Sequence, residues 1–245
     1  MPLQLNLAMT PLEIATATIP PEKIAWMACH FSPDGKGLTN FPQQLQEDSM
    51  LILNDSIPWC GQKGNDIVDS LSRFISQFRC SSLLLDFQRP RSEEVFRIVE
   101  EVTTALPCPV AVTPEYAKDL SCPVFLPPAP LHIPLEKHLN HWKKHEIWLE
   151  VALCREQIIV TKENTQYKQD IEISPSIGHF SDKLCCCYKT SIKQDRIIFT
   201  LFDTPQTLQK KLDLAQSYGI STAVGLYQEL GTFLSGRYIS DCSIV

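Results

Sequence analysis

The sequence predicts an α/β chain folded as one (β/α)8 barrel, irregular or short of its full set of units. Three observations carry that expectation. Short apolar runs recur along the chain with turn chemistry between them. Several runs are continuous instead of alternating, as parallel strands covered on both faces require. Amphipathic stretches of helical period lie between them, and 245 residues suit a single such barrel. A doubly wound open sheet meets the same pattern and is the alternative.

Residues 1–22 precede the first such run and read as an N-terminal extension. The runs are Lys23–Cys29, Met50–Leu53, Leu83–Phe87, Val110–Thr113, Val124–Leu126, Ile147–Leu153, Ile197–Phe202 and Thr222–Tyr227. Asp66–Phe78 is expected as a helix, because Ile67, Leu71, Phe74, Ile75 and Phe78 fall on one stripe. Ser92 can cap the next helix, with Glu93 and Glu94 favouring its dipole and Val95, Val99 and Val102 facing inward. The last helix is the clearest. Thr204 is its N-cap, Pro205 its first residue, Leu208, Leu212 and Ala215 its buried stripe, and Gly219 its end. It is expected to join Ile197–Phe202 to Thr222–Tyr227 as a βαβ unit.

Two places break the repeat. Too few residues separate Thr113 from Val124 for a full crossover helix. Between Leu153 and Ile197 the runs Gln157–Thr161, Asp170–Ile173 and Lys183–Lys189 turn polar and strand-like, which predicts a small β insertion over 154–196. Residues 231–245 read as a C-terminal tail, and the whole of 1–245 as one domain.

Composition narrows the function. A formal charge of -6 and a pI near 5.5 give no attraction to a phosphate backbone or an anionic membrane, so neither nucleic acid nor membrane is an expected partner. No apolar run approaches the roughly 18–20 residues of a spanning helix. The first basic residue is Lys23, so the start lacks a basic targeting region and a cytoplasmic location is expected. The ten cysteines include no CxxC pair. Cys29, Cys60, Cys80, Cys108, Cys122 and Cys154 lie in or beside apolar segments, and Cys185, Cys186 and Cys187 are consecutive. Reduced, buried thiols are the expectation, with no metal and no cofactor. The terminal Cys242-Ser243-Ile244-Val245 has the form of a prenylation box, but a final Val is not among its usual residues.

In such a barrel the loops after the strands build the site. The residues just past each run are therefore the candidates: His30 and Asp34, Asn54, Asp55 and Trp59, Asp86 and Gln88, Glu115, Glu150, Asp203, and Tyr227 with Gln228. This set is rich in carboxylates and amides, which bind hydroxyls, and contains no Gly-rich phosphate loop. Trp59 or Tyr227 can stack on a sugar face. Asp55 and Asp203 have a plainer reading as helix caps. His138, His141 and His145 lie beside the stripe Leu135, Leu139 and Trp142, but their spacing is not the i, i+4 pair of zinc hydrolases; a solvated flank is expected.

The stretch from Phe199 to Ile220, Phe-Thr-Leu-Phe-Asp203-Thr-Pro-Gln-Thr-Leu208 onward through Tyr218-Gly219, resembles the closing strand–helix–strand of glycoside hydrolase family 18. The resemblance is to bacterial members linked to spore cortex and peptidoglycan, and it implies a TIM-type (β/α)8 barrel. That family's D-x-x-D-x-D-x-E strand falls on Ser81-Ser-Leu-Leu84-Leu-Asp86-Phe-Gln88. The resemblance implies that Gln88 stands where the family has its catalytic acid and Asp86 where it has the assisting aspartate, while Ser81 and Leu84 replace the other two. A Gln amide donates a hydrogen bond but releases no proton. The expected function is thus a degenerate family 18-like protein that binds an N-acetylhexosamine-type carbohydrate without efficient hydrolysis, through Asp86, Gln88, Asp55, Trp59 and Tyr227. One alternative is an active glycosidase with Glu115 or Glu150 as its acid; another is a barrel kept as a scaffold for a protein partner of unknown kind.

Overall fold

Parallel strands that close on themselves position everything else in this protein. The computed structural model describes residues 2–17, 22–169, 171, 178–193 and 195–234. In chain order the first elements are β1 (Gln4–Met9), α1 (Pro11–Thr16), β2 (Ile24–Phe31), β3 (Leu38–Thr39), β4 (Met50–Asn54) and α2 (Gly64–Phe78). Next come β5 (Ser82–Asp86), α3 (Glu93–Ala105), β6 (Val110–Val112), α4 (Pro114–Ala117), β7 (Val124–Leu126), α5 (Leu135–Asn140) and β8 (Ile147–Val151). Then follow β9 (Arg155–Val160), β10 (Thr165–Gln169), β11 (His179–Ser181), β12 (Cys186–Lys193) and β13 (Arg196–Phe202). The chain ends in α6 (Pro205–Ser217), β14 (Thr222–Leu226) and α7 (Tyr227–Leu234).

The barrel order is β1-β2-β4-β5-β6-β7-β8-β14. Parallel pairing of β1 with β2 (Leu7 opposite Ile24) and with β14 (Gln4 opposite Thr222) closes it. A ninth strand, β3, lies antiparallel on the end of β2. Side chains alternate across each strand. One parity, Ala8, Ala25, Met50, Ile52, Leu84, Ala111, Phe125, Trp148 and Val224, forms its own apolar cluster inside the barrel. The other, including Leu7, Leu51, Leu53, Leu83, Leu85 and Leu149, joins the helices in the larger outer core. Both parities are buried, so the runs are continuous. Each such Leu or Phe taken from water stabilises the fold by about 1.5–3 kcal/mol.

The helices follow their caps. In α2, Ile67, Leu71, Phe74 and Ile75 are buried as the stripe predicts, and Arg79 ends the helix in the left-handed region at φ 50°. Ser92 caps α3 by accepting from the Val95 amide at 3.2 Å. In α6 the Thr204 hydroxyl accepts from the Thr207 amide at 3.2 Å, Thr207 returns the bond at 2.9 Å, and Gly219 turns the chain at φ +84°. Four-residue α4 is all that fits between β6 and β7.

Two expectations need correction. Residues 1–22 are not wholly an extension, since β1 is a barrel strand. Its pattern Gln-Leu-Asn-Leu-Ala-Met alternates because Asn6, buried, donates to the Ala223 carbonyl at 3.3 Å across the closing seam. Ile197–Phe202 is not a barrel strand. It is β13, antiparallel to β9 and β12 in a separate five-stranded sheet of order β10-β9-β13-β12-β11. The insertion thus runs on to Phe202, and the barrel strand before α6 is β8. An apolar run of β-branched residues fits either setting; here only Leu201 and Phe202 are buried and Ile197 is 40% exposed. The expected strand at Asp170–Ile173 lies largely outside the described residues, as do 235–245 of the expected tail with Cys242.

The inserted sheet is fastened to the barrel at three points. Leu131, in the loop after β7, packs on Cys186 and Leu201. His132 Nδ1 meets Glu156 Oε2 at 2.8 Å. Lys211 of α6 pairs with Asp203 at 2.8 Å. Cys29, Cys80, Cys185 and Cys186 are buried, whereas Cys60 is exposed, contrary to expectation, in the loop after β4. No helix among the described residues is long and apolar enough to cross a membrane.

Candidate functional site

At the C-terminal ends of the strands the inward parity changes from apolar to polar. Two residues beyond Ile52, Leu84 and Trp148 come Asn54, Asp86 and Glu150. These three, with Asp55, Ser56 and Gln88, line an open cavity of about 480 Å3 floored and walled by Met27, Ile52, Leu84, Phe125, Val224 and Leu226. The volume is that of an ordinary small-ligand pocket, and apolar walls with a few convergent polar groups are the usual composition of one.

The polar groups are held from different strands. Asn54 is tied down at both ends of its amide, donating to the Met27 carbonyl at 2.9 Å and accepting from the Ser56 amide at 3.1 Å. Asp55 is buried and accepts from the backbone N–H groups of Gln88 at 3.0 Å and Arg89 at 2.8 Å, while Arg89 Nε donates back to the Asp55 carbonyl at 2.7 Å. Its carboxylate therefore fixes the loop that carries Gln88 and is not a helix cap. The Gln88 side-chain amide donates to Asp86 Oδ1.

Electrostatics single out two acids. Burial pushes the Asp86 carboxyl up, the Gln88 hydrogen bond opposes this, and the charge of Asp55 adds to it. Glu150 is pushed up to about 7, first by burial and then by the charges of Asp86 and Glu229. Glu229, on α7, accepts from the Leu153 amide at 3.3 Å. Among the described residues no Lys, Arg or His lines the cavity. The site thus offers acceptors, amides and, near neutral pH, a protonated carboxyl in a partly dry setting.

The structure separates the remaining candidates from this cavity. Trp59 donates its indole N–H to the Gln62 carbonyl at 3.1 Å and packs on the outer core. Tyr227 opens α7, half-buried against the outer core. Neither ring lines the cavity; Phe125, on the inward parity of β7, does. Glu115 lies on α4 with an exposed side chain 4.0 Å from Lys118. Asp203 is sealed against Lys211 and Thr207. The His30 ring bonds the Phe31 carbonyl and the Asn40 amide. Asp34 is in an exposed turn, where bonds from Ser32 and the Lys36 amide hold its carboxyl below the usual range. Gln228 is exposed on α7. His138 bonds the Pro127 carbonyl at 3.1 Å, and His141 and His145 stand edge-on to Trp142. Among the described residues no group of three His, Cys, Asp or Glu is placed to hold a metal ion.

Phe125, Met27, Leu226 and Glu229 escaped the sequence reading. For the first three the signal was present, since each shares the inward parity of its strand.

No protein-family model matches the sequence, and no curated protein sequence matches it. Solved structures do. The spore cortex-lytic enzyme SleL of Bacillus cereus is similar over 98% of this chain and 75% of its own, with 10% identity and a TM-score of 0.55. Human YKL-39, described as a pseudo-chitinase with retained chitooligosaccharide binding, is similar over 91% and 92%, at 10% identity and a TM-score of 0.54. A GH18 chitinase from Cycas revoluta, in a variant with one Gly→Trp and one Glu→Gln change and in complex with (GlcNAc)4, is similar over 94% and 97%, at 11% identity and a TM-score of 0.56. The fold of this chain is a (β/α)8 barrel like that of the glycoside hydrolase family 18 proteins.

Proposed function

We propose that the barrel mouth binds an oligosaccharide of N-acetylhexosamine type and that the protein is a pseudoenzyme, holding the sugar without efficient hydrolysis. One observation carries this reading: the Gln88 amide is hydrogen-bonded to Asp86 in an open cavity, at the position where the resemblance implies a catalytic acid. An amide there can bind a glycosidic oxygen or a hydroxyl and cannot protonate a leaving group. Loss of a general acid typically costs about 100- to 10,000-fold in rate. The pseudo-chitinase and the Glu→Gln variant with bound (GlcNAc)4 support binding on such a barrel. An open mouth favours a ligand over a scaffold role. We read the chain as one domain with an inserted sheet, bacterial by its resemblance and cytoplasmic on the reading of its thiols as reduced.

The test is binding and turnover together. Wild-type protein is expected to bind N-acetylglucosamine oligomers and to give no measurable hydrolysis of their aryl glycosides. Asp86→Ala is expected to weaken binding by about 1.5–3 kcal/mol, the range for a hydrogen bond to a charged group. The double change Leu84→Asp with Gln88→Glu rebuilds the implied acid and its carboxylate neighbour and is expected to gain turnover. Robust wild-type turnover that survives Asp86→Ala would overturn the reading.

A second reading, a working glycosidase, is favoured by one observation. Glu150 lines the same cavity and holds its proton up to about pH 7, which suits a general acid. It predicts turnover abolished by Glu150→Gln. Glu115, on the outside of α4, drops out of this role.

A further inference from the structure

We infer that the mouth selects an oligosaccharide that presents a free, protonated amino group in place of an acetamido group, seated beside Asp86 and Glu150. The inference rests on the carbohydrate reading of this cavity and names the chemistry of its ligand.

The cavity is unbalanced in charge. Three carboxyl residues line the cavity, Asp55, Asp86 and Glu150, and among the described residues no basic side chain does. Asp55 is satisfied by two backbone N–H groups. Among the described residues Asp86 receives the neutral Gln88 amide alone. Glu150 makes no side-chain hydrogen bond among the described residues, although it points with the inward parity of β8 into the cavity.

The groups that face Glu150 do not correct the imbalance. Asp86 faces it from β5 and Glu229 from α7, both acidic. Lys211 of α6 shares a small neighbouring cleft with it, but that ammonium is taken by Asp203 at 2.8 Å. The fold's own response is to raise the Glu150 carboxyl to about 7, so that half of it keeps its proton near neutral pH, which is how a partly buried acid beside like charges eases a second uncompensated charge. An ammonium group entering the cavity supplies what the lining lacks.

The chemistry of the ligand follows. An acetamido group brings a neutral N–H donor, which any of these acceptors can take. An amine brings a full charge to a site where water is partly excluded, and an opposite charge within about 4–6 Å there outweighs a neutral hydrogen bond. Seating the ammonium lowers the Glu150 pKa, so its proton leaves to the buffer and the carboxylate stays. Glycans bearing carboxylates meet only like charge. A partly deacetylated hexosamine polymer presents the required group.

Calorimetry on the full chain at about pH 7, where Glu150 is half protonated, tests this. The probes are (GlcNAc)4 and the fully deacetylated glucosamine tetramer, each in two buffers of different ionisation enthalpy. The deacetylated tetramer is expected to bind at least about 10-fold tighter; Glu150 gives up about half a proton on binding, the sugar amines take up their own share, and the two buffers read the net number. The isosteric Glu150→Gln change is expected to cut that preference to about 3-fold or less and to shift the net number toward uptake by the half proton that Glu150 supplied, while the surface change Glu115→Gln leaves both intact. Equal or tighter binding of (GlcNAc)4 overturns the inference and leaves the carbohydrate reading standing. Failure of both tetramers to bind overturns both. A folded Glu150→Gln protein that keeps the full preference removes Glu150 from the account.

Discussion

Asp203 and Glu150 are both carboxyl groups drawn out of water near the ends of strands, and the molecule treats them in opposite ways. Asp203 is fully closed off, with Lys211 at 2.8 Å, the Thr207 hydroxyl at 3.0 Å and the Cys154 amide at 3.3 Å. It fastens the inserted sheet to α6. Among the described residues Glu150 has no cation and no side-chain hydrogen bond, and two like charges face it. The same residue chemistry is structural where the fold completes its hydrogen bonds and charge, and available to a ligand where it does not. Among these acids the incomplete group, not the deepest one, marks the site.

The largest effect expected from breaking this contrast is on the complete pair. Lys211→Met strands the buried Asp203 charge, and unfolding by denaturant should show a loss of about 3–5 kcal/mol. The counterpart at the mouth should go the other way. The Glu150 carboxyl sits at about 7 in the fold against an ordinary 4.5. The folded state therefore binds its proton more tightly, and stability is fully present below about pH 4.5 and declines as pH rises to about 7. Glu150→Gln removes that decline, a gain of about 2 kcal/mol at pH 8 after allowing for partial exposure, read from unfolding at several pH values.

A smaller effect sharpens the origin of the shift. Asp86→Asn removes one of the charges that hold the Glu150 proton, and the Glu150 titration followed by carbon NMR should fall by about one unit. An unmoved titration would leave burial and the Glu229 charge as the cause. The smallest effect is on the surface. Glu115→Gln touches only the 4.0 Å contact with Lys118 and should change stability by no more than about 0.5 kcal/mol.

Much of the barrel was legible because burial of both strand faces writes continuous apolar runs, and α2, α3 and α6 because their caps and stripes agree with their tertiary setting. What escaped did so for physical reasons. β1 alternates, since a buried Asn6 bridges the seam, so it lacks the mark of a parallel strand. β13 carries that mark without being one, because Ile197 and its neighbours lie on a sheet that stands partly in solvent.

At the site, Asp86, Gln88, Asn54, Asp55 and Glu150 were legible from position alone, as residues at the C-terminal ends of strands. Trp59 and Tyr227 were not separable from ligand-stacking residues in the sequence, because their rings end packed on the outer core. Phe125 shares the inward parity of β7 with the inner cluster, so its place in the lining was legible once the barrel is closed.

The central claim is that the mouth of the barrel is the ligand site, and a crystal structure of the protein soaked with the N-acetylglucosamine and glucosamine tetramers measures it directly. The account predicts an intact sugar chain in the cavity between Asn54, Gln88 and Glu150, with the amino group of the glucosamine tetramer against Asp86 and Glu150. Sugar bound on the inserted sheet, for instance against exposed Tyr167 and Ile192, with the mouth left to water, would contradict it.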